Sequence, residues 1–173
     1  RQMCIRDRLK PGVSETTLII DLGGTTLDAG VIVGQFDDIS AVHGNPAIGV
    51  SQVTRAAQAV LRVAESETSA LVADSVIQKR KDRSFLNSII NDGGRIDYVT
   101  EKIEEAIQSL GAQVVTELAR YRNVNRIFLV GGGAVLIEQA VRLAWPLAPE
   151  RIEIINDPQM ALAREIALYR REV

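Results

Sequence analysis

Leu18-Ile19-Ile20-Asp21-Leu22-Gly23-Gly24-Thr25-Thr26-Leu27-Asp28-Ala29-Gly30-Val31-Ile32-Val33 sets two apolar, β-branched segments around a polar turn. The pattern predicts a β-hairpin, with Gly23 and Gly24 able to take the positive-φ conformations of a tight turn. Bare backbone at these glycines lets N–H groups approach an anion closely, and Thr25 and Thr26 add hydroxyl donors. Asp21, at the end of a buried strand, places a carboxylate beside that anion site. A carboxylate repels a bare phosphate, so the arrangement makes chemical sense with a cation such as Mg2+ between the two. A hairpin turn with a purely structural role is the competing reading.

The surrounding 173 residues suffice for one domain with a substantial core. Hydrophobic residues make up 46% and charged residues 24%, a globular rather than a disordered balance. A net charge of -2 leaves no electrostatic footprint for direct DNA or RNA binding. No apolar run reaches the length of a membrane span and no signal-peptide pattern is present, so a soluble, cytoplasmic protein is expected. The single cysteine, Cys4, cannot form an internal disulfide, which suits a reducing compartment. His43 is the only histidine, which excludes a histidine-based triad or a histidine metal cluster.

Upstream of the hairpin, Arg1, Arg6, Arg8 and Lys10 lie in a stretch without helical or strand periodicity. Pro11-Gly12 marks a break, so residues 1–12 are expected to form a non-native or disordered leader and the fold to begin near Val13. Downstream, Gly34-Gln35-Phe36-Asp37-Asp38 predicts a turn and Ile39–Gly44 a third strand, in which His43 is an ordinary strand residue. Gly44-Asn45-Pro46 ends that strand, because the residue before proline avoids the helical region.

Val50, Val53, Ala57, Val60, Leu61 and Ala64 share one face of a helix expected from about Gly49 to Ala64. Residues 68–90 read as helical and more polar. Their basic run, Lys79-Arg80-Lys81-Asp82-Arg83, is expected to be a solvated helix end, with contact to a nucleotide or a neighbouring subunit as the alternative. After the breaker Asn91-Asp92-Gly93-Gly94, apolar residues at three- and four-residue spacing predict a long helix from Ile96 to Tyr121, with Thr100, Glu104 and Glu105 marking its acidic start. Gly111 within it costs roughly 1 kcal/mol against alanine, which points to a close packing contact.

A second stretch carries chemistry. Arg126-Ile127-Phe128-Leu129-Val130 is an apolar strand that runs into Gly131-Gly132-Gly133-Ala134, after which a helix opens towards Trp145. Bare backbone at a strand-to-helix turn can lie flat against a ligand, and a helix N-terminus favours negative charge. A dinucleotide fingerprint counted from Gly131 requires glycine where Leu136 stands, so a Rossmann assignment is weak. Strand Ile152–Ile155 and a last helix, N-capped by Asp157 with Pro158 in its first turn, complete the expected chain.

The two glycine turns, in this order and at this separation, resemble the second phosphate loop and the adenosine loop of the actin-like ATPases. Gly44-Asn45-Pro46-Ala47-Ile48-Gly49-Val50-Ser51, Arg80-Lys81-Asp82 and Ile90-Asn91-Asp92 resemble more narrowly the plasmid-segregation branch, the ParM/StbA proteins. The resemblance covers about Val13 to Val173. It implies an α/β fold, an actin-like ATPase lobe with a ribonuclease H-like mixed β-sheet and packed helices. It further implies ATP and Mg2+ as cofactors and self-association into filaments that segregate plasmids. A DNA-binding adaptor protein is the implied partner, without direct nucleic-acid or membrane contact.

By the same resemblance, Asp21 is the catalytic candidate and the metal candidate, acting through the water shell of Mg2+ or orienting the attacking water. Gly23, Gly24, Thr25 and Thr26 are expected to cradle phosphates, and Gly131, Gly132, Gly133 and Ala134 to lie against adenosine. Such ATPases carry a first phosphate loop and most of another lobe ahead of the second phosphate loop, whereas only residues 1–20 precede Asp21. The expectation is therefore a C-terminal half, residues 13–173, with ATP hydrolysis belonging to the full-length parent and the fragment inactive. A lobe of a sugar or acetate kinase, a chaperone-type ATPase, and a non-catalytic interaction module are the alternatives.

Overall fold

β1 (Thr16–Leu22) and β2 (Leu27–Val33) form the hairpin, in register from Thr16 opposite Val33 to Leu22 opposite Leu27. These strands belong to a computed structural model that describes residues 15–34 and 38–155. The expected leader, the middle of the turn before β3 and the last helix fall outside the described residues. β3 (Asp38–Asn45) pairs antiparallel with β2, with a register shift between Val31 and Ile32. β4 (Arg126–Val130) and β5 (Ile152–Ile154) complete a mixed five-stranded sheet of order β3-β2-β1-β4-β5, in which β1, β4 and β5 run parallel.

The chain divides into two compact units, residues 1–49 with 111–173 and residues 50–110. The first holds the sheet. Strand alternation puts Leu18, Ile20 and Leu22 on one face, opposite Val31, Ala29 and Leu27 on β2 and beside Ile127 and Leu129 on β4. All eight are buried. On the other face Phe128, Val130 and Ile155 cluster with the half-buried Ile19. The side-chain period of two fixes this register, because a one-residue slip would turn each apolar row to the wrong side.

The second unit is helical. α1 (Ser51–Val63) buries Val53, Ala57 and Leu61, one helical face. α2 (Ala70–Gln78) is capped by the Ser69 hydroxyl, which accepts from the Val72 N–H, and α3 (Arg83–Ile89) by the Asp82 carboxylate, which accepts from the Phe85 N–H. α4 (Ile96–Glu117) spans 22 residues, and Ile96, Val99, Ile103, Ile107 and Leu110 are its buried row within this unit. The basic run is internally engaged. Arg80 pairs with Glu104 at 2.8 Å, Arg83 with Asp97 at 2.8 Å, and Lys79 lies over the Phe85 ring at 4.6 Å.

Two helix expectations are corrected. Glu104 and Glu105 do not mark the start of α4: they pair with Arg80 and Lys102, and Asp97 is the acidic residue of the first turn. α4 also stops at Glu117 rather than Tyr121, because the chain tightens into a 3-10 turn at Ala119–Tyr121. Side-chain bonds flank that turn. Glu117 Oε1 lies 2.7 Å from His43 Nε2 and Arg120 donates to His43 Nδ1 at 2.7 Å, so the end of α4 is tied to β3 within the first unit.

α5 (Ala134–Ala144) buries Ala134, Ile137 and Val141, and the following Trp145 is fully buried with its indole N–H donating to the Tyr121 carbonyl at 3.1 Å. Gly111 meets α5 closely, as its cost within a helix implied: a β-carbon there would come within 2.6 Å of Ala140 Cβ. Gly111→Ala should therefore lower stability by about 1–2 kcal/mol despite its better helix propensity. Ala140→Gly, which costs roughly 1 kcal/mol alone as a glycine within α5, should cost clearly less in the Gly111→Ala chain because it clears the clash. Chemical denaturation of the single and double variants checks this, and two additive losses would contradict the contact.

Candidate functional site

Parallel pairing of β1 with β4 sets Asp21 beside Val130, so the turn after each strand leaves the sheet at the same end. Ligands of open α/β sheets bind outside the carboxyl ends of parallel strands, which is where these two turns stand. The first turn, Gly23–Thr26, closes through a Gly23 N–H to Thr26 carbonyl bond of 2.9 Å. Gly24 and Thr25 are exposed at its apex, and Thr26 is half-buried. Neither Gly23 nor Gly24 has a positive φ, so the turn does not use the left-handed freedom its glycines allow. A four-residue loop with a closing hydrogen bond reverses the chain without it.

Positive φ appears instead at Gly131, at +81°. A β-carbon at Gly131 would run into the Asp21 carboxylate and approach the Leu22 carbonyl oxygen to 2.5 Å. The two turns thus touch: the bare α-carbon of Gly131 is the space in which the Asp21 carboxylate sits. Gly133 adds a backbone tie, its N–H donating to the Leu22 carbonyl at 2.9 Å, and the Ala134 N–H bonds the Gly131 carbonyl at 3.2 Å. The Gly133 amide thus ties the two turns together while those of Gly23 and Ala134 close their own turns, leaving Gly24, Thr25 and Gly132 as the exposed residues.

Asp28 is the residue that reading from sequence left out of the site. It lies directly opposite Asp21 in the β1–β2 register. The hairpin is symmetric about Gly24-Thr25, so the facing pair could have been found by counting outward from the turn. Burial first, and the Asp28 charge second, raise the Asp21 carboxyl above its ordinary value of 3.8. Folding therefore favours the protonated acid. The stabilisation from this group is full below the ordinary value and is lost as pH rises through the raised one. Asp21→Asn should raise the melting temperature by about 2 °C at pH 7, a modest gain because the group is half-exposed, and the gain should vanish below about pH 4. Melting curves of the two chains across pH check this; a gain independent of pH would contradict it.

The pair also tests the fit of a cation. Among the described residues no group of three or more His, Cys, Asp or Glu gathers as a metal cluster. Two facing carboxylates beside the first turn are chemically compatible with Mg2+ where phosphates and water supply its other ligands.

The family profile described as "Plasmid segregation protein ParM, C-terminal" matches residues 13–169. The chain belongs to the ParM family. Solved structures agree on the fold. A ParM filament from Clostridium botulinum superposes with a TM-score of 0.66 at 15% identity, over 87% of this chain and 44% of that one. The archaeal actin homologue Ta0583 in complex with ADP gives 0.62 at 18%, over 91% of this chain and 50% of that one. PilM, from a PilM–PilN type IV pilus biogenesis complex, gives 0.62 at 18%, over 95% and 48%. The ParM-family sheet with its packed helices is thus the actin-like fold that the two glycine turns implied. No curated protein sequence matches the chain. The chain spans about half the length of the solved structures it matches. Among its described residues no helix is long and apolar enough to cross a membrane.

Proposed function

We propose that this chain is the C-terminal lobe of a cytoplasmic ParM-type ATPase that binds ATP with Mg2+, polymerises and segregates plasmids through a DNA-binding adaptor. The observation that carries the reading is the contact between the turns, with Gly131 bare against the Asp21 carboxylate. It makes one continuous surface from an anion turn, a carboxylate pair and a flat glycine turn.

Gly24, Thr25 and Thr26 present backbone and hydroxyl donors to phosphate oxygens, with Gly23 closing their turn. Gly132, exposed beside the half-buried Gly131, supplies the bare surface against adenosine, and the buried Gly133 and Ala134 support it from behind. Asp21, with Asp28 facing it, would hold Mg2+ through its water shell; when bound, the ion neutralises charge on the phosphates. Asp21 also orients the attacking water as an acceptor at its half-exposed carboxylate. Phosphoryl transfer rests on positioning and charge stabilisation. A single wall does this poorly, so we assign the opposite wall to a further segment of a longer protein.

Titrating ATP·Mg2+ into the chain with calorimetry and light scattering tests the reading. Weak binding, negligible turnover and no filaments are expected of the isolated lobe, and Gly132→Val should abolish the binding that remains by setting a β-branched side chain on the adenosine surface. Undiminished binding by that variant would reduce the second turn to a helix start. Tight binding with filament growth by the lobe alone would contradict the need for an opposite wall.

A further inference from the structure

Asn45 to Gly49 connect β3 to the helical part of the chain, and their path presses on the first turn from the side away from β4. Asn45 is the register partner of Leu27, and its side chain accepts from the Ala47 N–H at 2.9 Å, folding the segment back. Ile48 is buried and anchors it. Gly49 then meets the turn: a β-carbon there would lie 2.5 Å from the Thr25 carbonyl carbon, 2.6 Å from Thr25 Cα and 2.7 Å from the Gly24 carbonyl oxygen. Real β-carbons do not approach backbone so closely. The φ of Gly49 is not positive, so glycine is required for space rather than for conformation. Gly44 makes a second contact of this kind, its would-be β-carbon reaching the Asp28 carboxylate at 3.0 Å.

We infer that Gly49 is a positioning residue for phosphate recognition, its bare α-carbon setting where the Gly24–Thr25 peptide stands. This rests on the assignment of Gly23–Thr26 as the phosphate turn. The peptide gripped by Gly49 is the one at the exposed apex, the part of the turn that faces outward. A methyl group at position 49 has backbone against it on three atoms, and backbone cannot swing aside as a side-chain end can. The apex must therefore move, carrying its amides out of line with a phosphate, while the Gly131–Ala134 turn keeps its own ties to β1.

The test uses the chain labelled with 15N-glycine, titrated with ATP·Mg2+ and separately with adenosine. Gly24 reports on the phosphate turn and Gly132 on the adenosine turn. In Gly49→Ala the ATP affinity should fall about tenfold while the adenosine affinity holds. Gly30→Ala, whose added β-carbon would come no closer than 4.0 Å to the Ala41 carbonyl, serves as the matched control and should change neither. A folded Gly49→Ala chain with unchanged ATP affinity would overturn the inference. So would an equal loss for both ligands, which is what a general structural role produces. Should Gly49→Ala fail to fold, the wild-type chain decides: the Gly49 amide must shift with ATP at the same midpoint as Gly24 and stay still with adenosine, and an unmoved Gly49 under ATP overturns the inference. A wild-type Gly24 that ignores ATP would instead remove the phosphate-turn assignment itself.

Discussion

Asp21→Ala is expected to cut ATP turnover at least about a hundredfold in the protein that carries both walls of the site, with the fold intact. The carboxylate stands beside the first glycine turn, at the end of β1 and against the bare Gly131, where the proposed function needs an acceptor. Its removal leaves Asp28 without a facing carboxylate, and one acidic oxygen donor disappears from the place where charge gathers during phosphoryl transfer. Little stability should go with it. Asp21 is half-exposed, and its loss relieves the burial and repulsion that raise its carboxyl. A melting temperature within about 3 °C of the parent should therefore accompany the lost turnover. Steady-state phosphate release checks the first part, and near-normal turnover would remove Asp21 from the mechanism.

Gly131→Ala should be the most damaging small substitution in the first unit. Two effects combine. Alanine at a φ of +81° carries a backbone cost, and its methyl group would meet both the Asp21 carboxylate and the Leu22 carbonyl. Together these are worth about 2–4 kcal/mol, or roughly 10 °C in melting temperature. The same methyl would push the two turns apart, so nucleotide affinity should fall more than stability alone explains. Asp21→Gly added to Gly131→Ala should recover part of the stability, since it clears the carboxylate, but none of the turnover. Calorimetric unfolding and ATP titration of the single and double variants measure both effects. A Gly131→Ala chain as stable as the parent would mean that the turns are not packed together.

The hairpin was legible because period-two alternation on either side of a polar turn is a local signal, and β1 and β2 follow it residue for residue. The long helix and its close contact at Gly111 were legible for a similar reason: glycine is costly there, so something had to need the space. Other features were not written locally. That β1 pairs with β4, and so brings Asp21 to Gly131, is a contact across the whole helical insertion; the resemblance set both turns against one nucleotide, but neither it nor periodicity gave the pairing. Gly23-Gly24 permits positive φ without demanding it, and the demand fell on Gly131, where a carboxylate from another strand needs room. Asp28 was hidden for a simpler reason: both carboxylates were in view, but only the register turns them into a facing pair. The end of α4 was misplaced because Leu118 and Tyr121 continue the apolar spacing. There the bonds from Glu117 and Arg120 to His43 accompany a tighter turn.

One measurement bears most directly on the claim that the two turns form a single nucleotide surface. Mn2+ replaces Mg2+ in a complex with ATP, and its paramagnetic broadening of backbone amide signals is followed in the 15N-labelled chain. Mn2+·ATP is expected to broaden Asp21 to Thr26 and Asp28 first and Gly131 to Ala134 next, Mn2+ alone to do so much more weakly, and Gly132→Val to remove the effect at both turns together. Broadening confined to one turn, or centred anywhere else in the chain, would contradict that claim.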